Sequence, residues 1–142
     1  MKGNKIVFMK LKVFTDGWSR WNPWISWIGV YITDETWKEI EKRYKSLWIK
    51  TNNEAEYLWA YYGIKRAIEI WATDIELYMD SKLVISQLSW DWKIKKDTLK
   101  EIKEDILKEI EESRVKVVYN WIRREKNKEA DRLSNVAMDL MN

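Results

Sequence analysis

No cysteine and no histidine occur in the 142 residues, and there are only one proline and four glycines. Lack of cysteine excludes disulfides, thiolate metal sites and thiol nucleophiles. Lack of histidine removes the imidazole base and the commonest transition-metal ligand. Acid–base work therefore falls to carboxylates and lysines, and any metal here is a hard, oxygen-preferring cation. Long apolar runs are missing too: the longest uncharged stretch, Trp21 to Thr33, has 13 residues and is interrupted by Asn22 and Pro23, too short and too polar for a membrane span. Lysines break up the apolar N-terminus, so it does not read as a signal peptide, and the expected location is cytoplasmic.

What is present is apolar and charged in near balance. With 46% hydrophobic and 35% charged residues, the chain can bury a core, and its length suits a single domain over 1–142. The net charge is only +3, but it is uneven. Twelve basic residues face eight acidic ones up to Trp71, and fourteen face fifteen after it, so the positive excess sits in the first half. Mild basicity is compatible with a nucleic-acid partner and does not establish one.

Apolar alternation predicts strands at Ile6–Thr15, Trp27–Thr33 and within Lys38–Lys50, with a turn at Asp34–Glu35. The period then changes. Thr51-Asn52-Asn53 offers caps for a helix to about Trp71, with Ala55, Leu58, Trp59, Tyr62 and Ala67 on its apolar face. A strand over Asp74–Met79, a short helix from Leu83 to Leu88 and a helix capped at Asp97 or Thr98 follow. A last strand spans Arg114–Ile122 and a last helix Asn127–Leu140. An antiparallel meander passing into strand–helix crossovers predicts an α/β fold, a mixed sheet flanked by helices.

Four carboxylates stand at telling places. Asp16 and Asp80 each end a strand, and ligand sites in such sheets form beyond the carboxyl ends of parallel strands. Glu56 and Asp131 each follow an inward-facing alanine on a helix. Any one of them alone is more commonly a cap or a surface charge. Gathered together they would repel unless divalent cations neutralised them, and two such ions could stabilise both oxygens of a phosphodiester displacement.

The surrounding residues strengthen that reading. Phe14-Thr15-Asp16-Gly17 with Ser19 and Asn22-Pro23, Thr51-Asn52-Asn53-Glu54-Ala55-Glu56-Tyr57, Met79-Asp80-Ser81-Lys82-Leu83-Val84 and Arg124-Glu125-Lys126-Asn127-Lys128-Glu129-Ala130-Asp131-Arg132-Leu133 resemble the four motifs of type-one ribonuclease H, in family order. Trp92-Lys93-Ile94-Lys95 is similar to the compact branch that lacks a basic protrusion. The resemblance implies the ribonuclease H fold, a five-stranded mixed sheet of order 3-2-1-4-5 whose first three strands are antiparallel. It implies an endonuclease that hydrolyses the RNA strand of an RNA–DNA hybrid, with Asp16, Glu56, Asp80 and Asp131 holding two Mg2+ or Mn2+ ions. Asn22, Thr51, Asn52 and Asn53 would contact the hybrid, Lys82 and Arg124 its phosphates. Amides can both donate to and accept from a 2′-hydroxyl, which separates RNA from DNA; the same side chains also serve as turn formers and helix caps.

Departures from the pattern are specific. Trp21, Trp24, Trp27, Trp71 and Trp90 stand where the family often has glycine, and Ile25 where it has proline. Such repeated replacement reads as a biased or engineered sequence. The ladder Trp18, Trp21, Trp24, Trp27 has three readings: packing, a sticky patch for self-association, or a stacking platform. The family's usual histidine is replaced within Trp121-Ile122-Arg123-Arg124. Two other functions stay open at this level: a catalytically impaired variant acting as a weak nucleic-acid binder or scaffold, and a resolvase or integrase core. Thr-Asn-Asn-Glu-Ala-Glu speaks against the latter. No membrane and no obligate protein partner is expected.

Overall fold

The computed structural model describes residues 7–20, 25–48, 51–89, 97–129 and 132. In chain order these form β1 (Lys10–Arg20), β2 (Ile25–Thr33), β3 (Glu39–Trp48), α1 (Asn52–Glu69), β4 (Asp74–Met79), α2 (Lys82–Ser89), α3 (Asp97–Ser113) and β5 (Lys116–Trp121), then a 3-10 turn at Arg124–Lys126. They build one five-stranded sheet of order β3-β2-β1-β4-β5. β1, β2 and β3 are antiparallel neighbours, whereas β1–β4 and β4–β5 are parallel. This is the mixed sheet expected from the sequence.

Two boundaries at β1 differ from expectation. Val7, Phe8 and Met9 are exposed and precede the strand, although their apolar character suggested its start. At the other end the strand does not stop at Asp16–Gly17. It runs on to Arg20 because β2 continues to pair with it, Trp18 opposite Trp27 and Arg20 opposite Ile25. The β2–β3 turn forms as expected, with the backbone N–H groups of Thr36 and Lys38 donating to Asp34 Oδ1 at 2.8 and 3.0 Å. Of the last expected helix, Asn127–Leu140, Lys128, Glu129 and Arg132 are helical, and the remaining positions after Asn127 lie outside the described residues.

One sheet face carries the core. Leu11, Val13 and Thr15 of β1, Ile28, Val30 and Ile32 of β2, and Ile75 and Leu77 of β4 are buried beneath α1. Close approach of α1 requires Gly63, where an added Cβ would lie 2.5 Å from Thr15 Cγ2 and 3.1 Å from Val13 Cγ1. The helix starts where Thr51 Oγ1 accepts the Glu54 N–H at 3.2 Å, an N-cap of the expected kind. α3 packs beside α1, burying Leu99 and Ile106. On the opposite face Phe14 stacks on Tyr78 with ring centroids 4.7 Å apart, and Glu76 pairs with Lys10 and Lys12. No helix among the described residues is long and apolar enough to cross a membrane.

Candidate active site

The parallel β1–β4 ladder aligns Phe14 with Tyr78, so two residues further on Asp16, inside β1, stands level with Asp80, just past the carboxyl end of β4. That is the crevice in which α/β sheets bind ligands. Asp16 is only 4% exposed, and its Oδ1 accepts the Gly17 N–H at 2.8 Å. Glu56 arrives from the first turns of α1. Its Oε2 accepts from Ser81 Oγ at 2.7 Å, which ties α1 to the residue directly after Asp80. Burial raises the Glu56 pKa; the Ser81 hydrogen bond opposes the rise, and the charge of Asp80 adds to it. The charge of Asp80 is therefore close enough to disfavour the ionised form of Glu56.

A glycine and a tryptophan shape the floor. A Cβ at Gly17 would lie 1.9 Å from Trp59 Cε2, so the indole of Trp59 occupies the space a side chain would need. Gly17 is required for room, next to Asp16. Trp59 sits one helical turn beyond Glu56 and was expected only as a core residue. On the other side Asn127, 1% exposed, donates through Nδ2 to the Thr15 carbonyl at 2.9 Å. It thereby anchors the chain four residues before Asp131 to the strand that carries Asp16.

Trp121 is the contributor least visible in the sequence. Standing opposite Met79 in the β4–β5 ladder, it donates from Nε1 to the Asp80 carbonyl at 3.1 Å. Its ring, 43% exposed for the whole residue, also carries the Lys82 ammonium 4.9 Å from its centroid. One indole thus fixes the backbone at Asp80 and holds a cation beside it. Asp80, Trp121, Arg123, Arg124 and Glu125 line an open groove of about 450 Å³.

Of the residues expected at the site, Asp16, Glu56, Asp80, Lys82 and Arg124 lie at this end of the sheet. Thr51 and Asn53 stand at the N-terminus of α1, where Thr51 is engaged as the cap and Asn53 is exposed. Asn52 opens the same helix. Asn22 and Asp131 lie outside the described residues, as do Trp21, Trp24, Trp90, Lys93 and Lys95. Trp27 is buried, the packing outcome among those considered for the ladder. Among the described residues no group of three or more acidic side chains closes into a metal cage. The donor chemistry nonetheless suits a hard cation, since every candidate ligand is a carboxylate and the burial and neighbouring charge that disfavour ionised Glu56 would be offset by one.

The RNase H family model matches residues 9–139. The chain belongs to the RNase H family. Within it, the bifunctional protein Rv2228c of Mycobacterium tuberculosis is 35% identical over 133 residues, which are 92% of this chain and 36% of that protein. The chain thus spans about a third of the length of that curated relative. The ribonuclease H of Ruthia magnifica is 29% identical over 143 residues, 92% of this chain and 96% of that one. LC11-RNase H1, solved in complex with an RNA/DNA hybrid, has a TM-score of 0.85 to this RNase H-family chain at 32% identity, covering 92% and 98% of the two chains.

Proposed function

We propose that the chain is an endoribonuclease that hydrolyses the RNA strand of RNA–DNA hybrids, using two divalent cations held by Asp16, Glu56, Asp80 and Asp131. The observation that carries this reading is that Asp80, just past the end of β4, stands level with Asp16 on the neighbouring β1, with Glu56 tied to the residue after Asp80 through Ser81. Family membership and the hybrid complex of LC11-RNase H1 support the substrate. Mg2+ or Mn2+, when bound, supplies Lewis-acid stabilisation of the attacking and leaving oxygens.

The chain's own residues have separable tasks. Asp16, buried, has its carboxylate oriented by the Gly17 N–H. Glu56 must be ionised to serve as a ligand, and a bound cation would offset the burial that disfavours its ionised form. Ser81 keeps Glu56 turned toward Asp80, and Trp121 holds the Asp80 backbone. Asn53, with Asn22 and Asn52, reads the 2′-hydroxyls along the minor groove, and Lys82 and Arg124 meet phosphates.

A hybrid labelled on either strand tests the reading in Mg2+ or Mn2+. Wild type is expected to cut the RNA strand alone, leaving 3′-hydroxyl and 5′-phosphate ends. Asp80→Asn should lower the rate by about 10³-fold or more, since several kcal/mol of charge stabilisation go with a ligand. Undiminished cleavage by Asp80→Asn, or cleavage of duplex DNA instead, refutes it.

A further inference from the structure

A second basic feature lies away from the carboxylates and belongs to the first half, where the positive excess of the sequence resides. Arg43 and Lys45 are two residues apart on β3 and so project from one face, about 6.8 Å apart along the strand. Their β2 partners on that face are Val30 and Ile28, both buried. α1 supplies the other wall with Tyr62 and Arg66, and the space enclosed is about 420 Å³.

The charges in this groove are not equivalent. Arg66 is used internally: Nε and Nη2 donate to Glu41 at 2.6 and 2.7 Å, and Glu69 lies 3.6 Å away. Arg43 reaches Glu41 only at 4.0 Å, on an oxygen Arg66 already holds. Lys45 meets no carboxylate within ion-pair distance among the described residues; its ammonium lies 4.1 Å from the Tyr62 ring centroid. Two exposed cations are thus left facing solvent above a floor of Ile28, Val30 and Tyr62. A ligand matching both features carries regularly spaced anions with apolar surface between them, as a polynucleotide strand does.

Position narrows the occupant. Ile28 pairs with both Gly17 and Lys45, so Lys45 is level with the residue after Asp16 and two strands over, roughly 10 Å at about 4.8 Å per strand. From there the groove follows α1 away from the carboxylates. Its volume, about 420 Å³, is that of a small-ligand cleft, a scale that suits one strand's backbone and bases rather than a duplex. We infer that this groove binds a single-stranded tail extending from the hybrid, with phosphates at Arg43 and Lys45. The inference rests on the hybrid reading above.

The test measures anisotropy of labelled hybrids in EDTA, where nothing is cut, blunt or bearing an oligo(dT) tail. Tails should tighten binding to wild type, and Arg43→Gln/Lys45→Gln should erase that gain while leaving blunt-hybrid affinity unchanged. The log–log salt slope for the tailed hybrid should fall by about 1.4, or roughly 25-fold per tenfold change in salt, at about 0.7 per single-strand phosphate contact. Lys45→Met, which keeps a stem over Tyr62, should show about half the change in slope. Equal binding of blunt and tailed hybrids by wild type, or a tail gain that survives the double substitution, overturns the inference. So does an equal loss for blunt hybrids. Free oligo(dT) separates the two readings: if no hybrid binds yet oligo(dT) binds through Arg43 and Lys45, the groove stands and the hybrid reading fails. Competition by oligo-glutamate without any oligo(dT) binding overturns the groove assignment in favour of an acidic peptide.

Discussion

Trp71 ends α1 in a conformation suited to glycine, and replacing it should stabilise the protein. Beyond the cap residue Ile70, the Trp71 N–H donates to Ile68 O at 3.0 Å and the Ala72 N–H to Ala67 O at 3.0 Å. These are the two bonds of a Schellman motif, in which the residue at Trp71 must be left-handed; its φ is 72°. A side chain in that region costs about 1–2 kcal/mol, against about 0.5–1 kcal/mol for the greater freedom of glycine in the unfolded chain. Because Trp71 is 82% exposed, little packing is lost on its removal. Trp71→Gly should therefore add roughly 0.5–1 kcal/mol, raising Tm by about 2–4 °C in a domain of this size. Urea unfolding provides the assay: the midpoint should rise with m unchanged. Trp71→Ala keeps the strained backbone and should give no such gain. A glycine variant no more stable than wild type, or an alanine variant equal to it, refutes the backbone argument.

Three further substitutions probe other contacts. Gly63→Ala should destabilise by about 1–3 kcal/mol in the same urea assay despite alanine's helix preference, because its Cβ meets Thr15 Cγ2 at 2.5 Å. Trp121→Phe keeps a ring under Lys82 but loses the bond to the Asp80 carbonyl, so kcat on the hybrid should fall about three- to tenfold with KM unchanged. Glu56→Gln should abolish cleavage yet stabilise the fold at pH 7. The folded-state pKa of Glu56 lies above its unfolded value, so its stabilising protonated form is present below about pH 4.5 and is lost as pH rises through the raised pKa. The stability gap between Glu56→Gln and wild type should accordingly vanish in acid, as pH-dependent unfolding would show.

Legibility in the sequence followed the reach of each interaction. β4 was read to the residue, since Ile75, Leu77 and Met79 alternate cleanly with polar neighbours. The start of α1 was legible in Thr51, because a cap acts over three residues. Asp16-Gly17 misled: as a dipeptide it signals a turn, whereas the strand passes through it and the glycine makes room for Trp59 on another element. Trp71 was legible as an oddity at a family glycine position, but its left-handed φ required coordinates. The role of Trp121 was invisible, since its bond to Asp80 exists only once β5 lies beside β4. The carboxylates themselves were found by motif, and the groove beside Arg43 and Lys45 had only the lopsided charge to announce it.

Titration of Mn2+ into the substrate-free protein probes the acidic end most directly. Calorimetry on wild type, Asp16→Asn, Glu56→Gln and Asp80→Asn should show saturable uptake by wild type and at least tenfold weaker uptake by each variant. Uptake that is indifferent to all three substitutions, or none at millimolar Mn2+, would contradict the claim that these side chains form one cation-binding site.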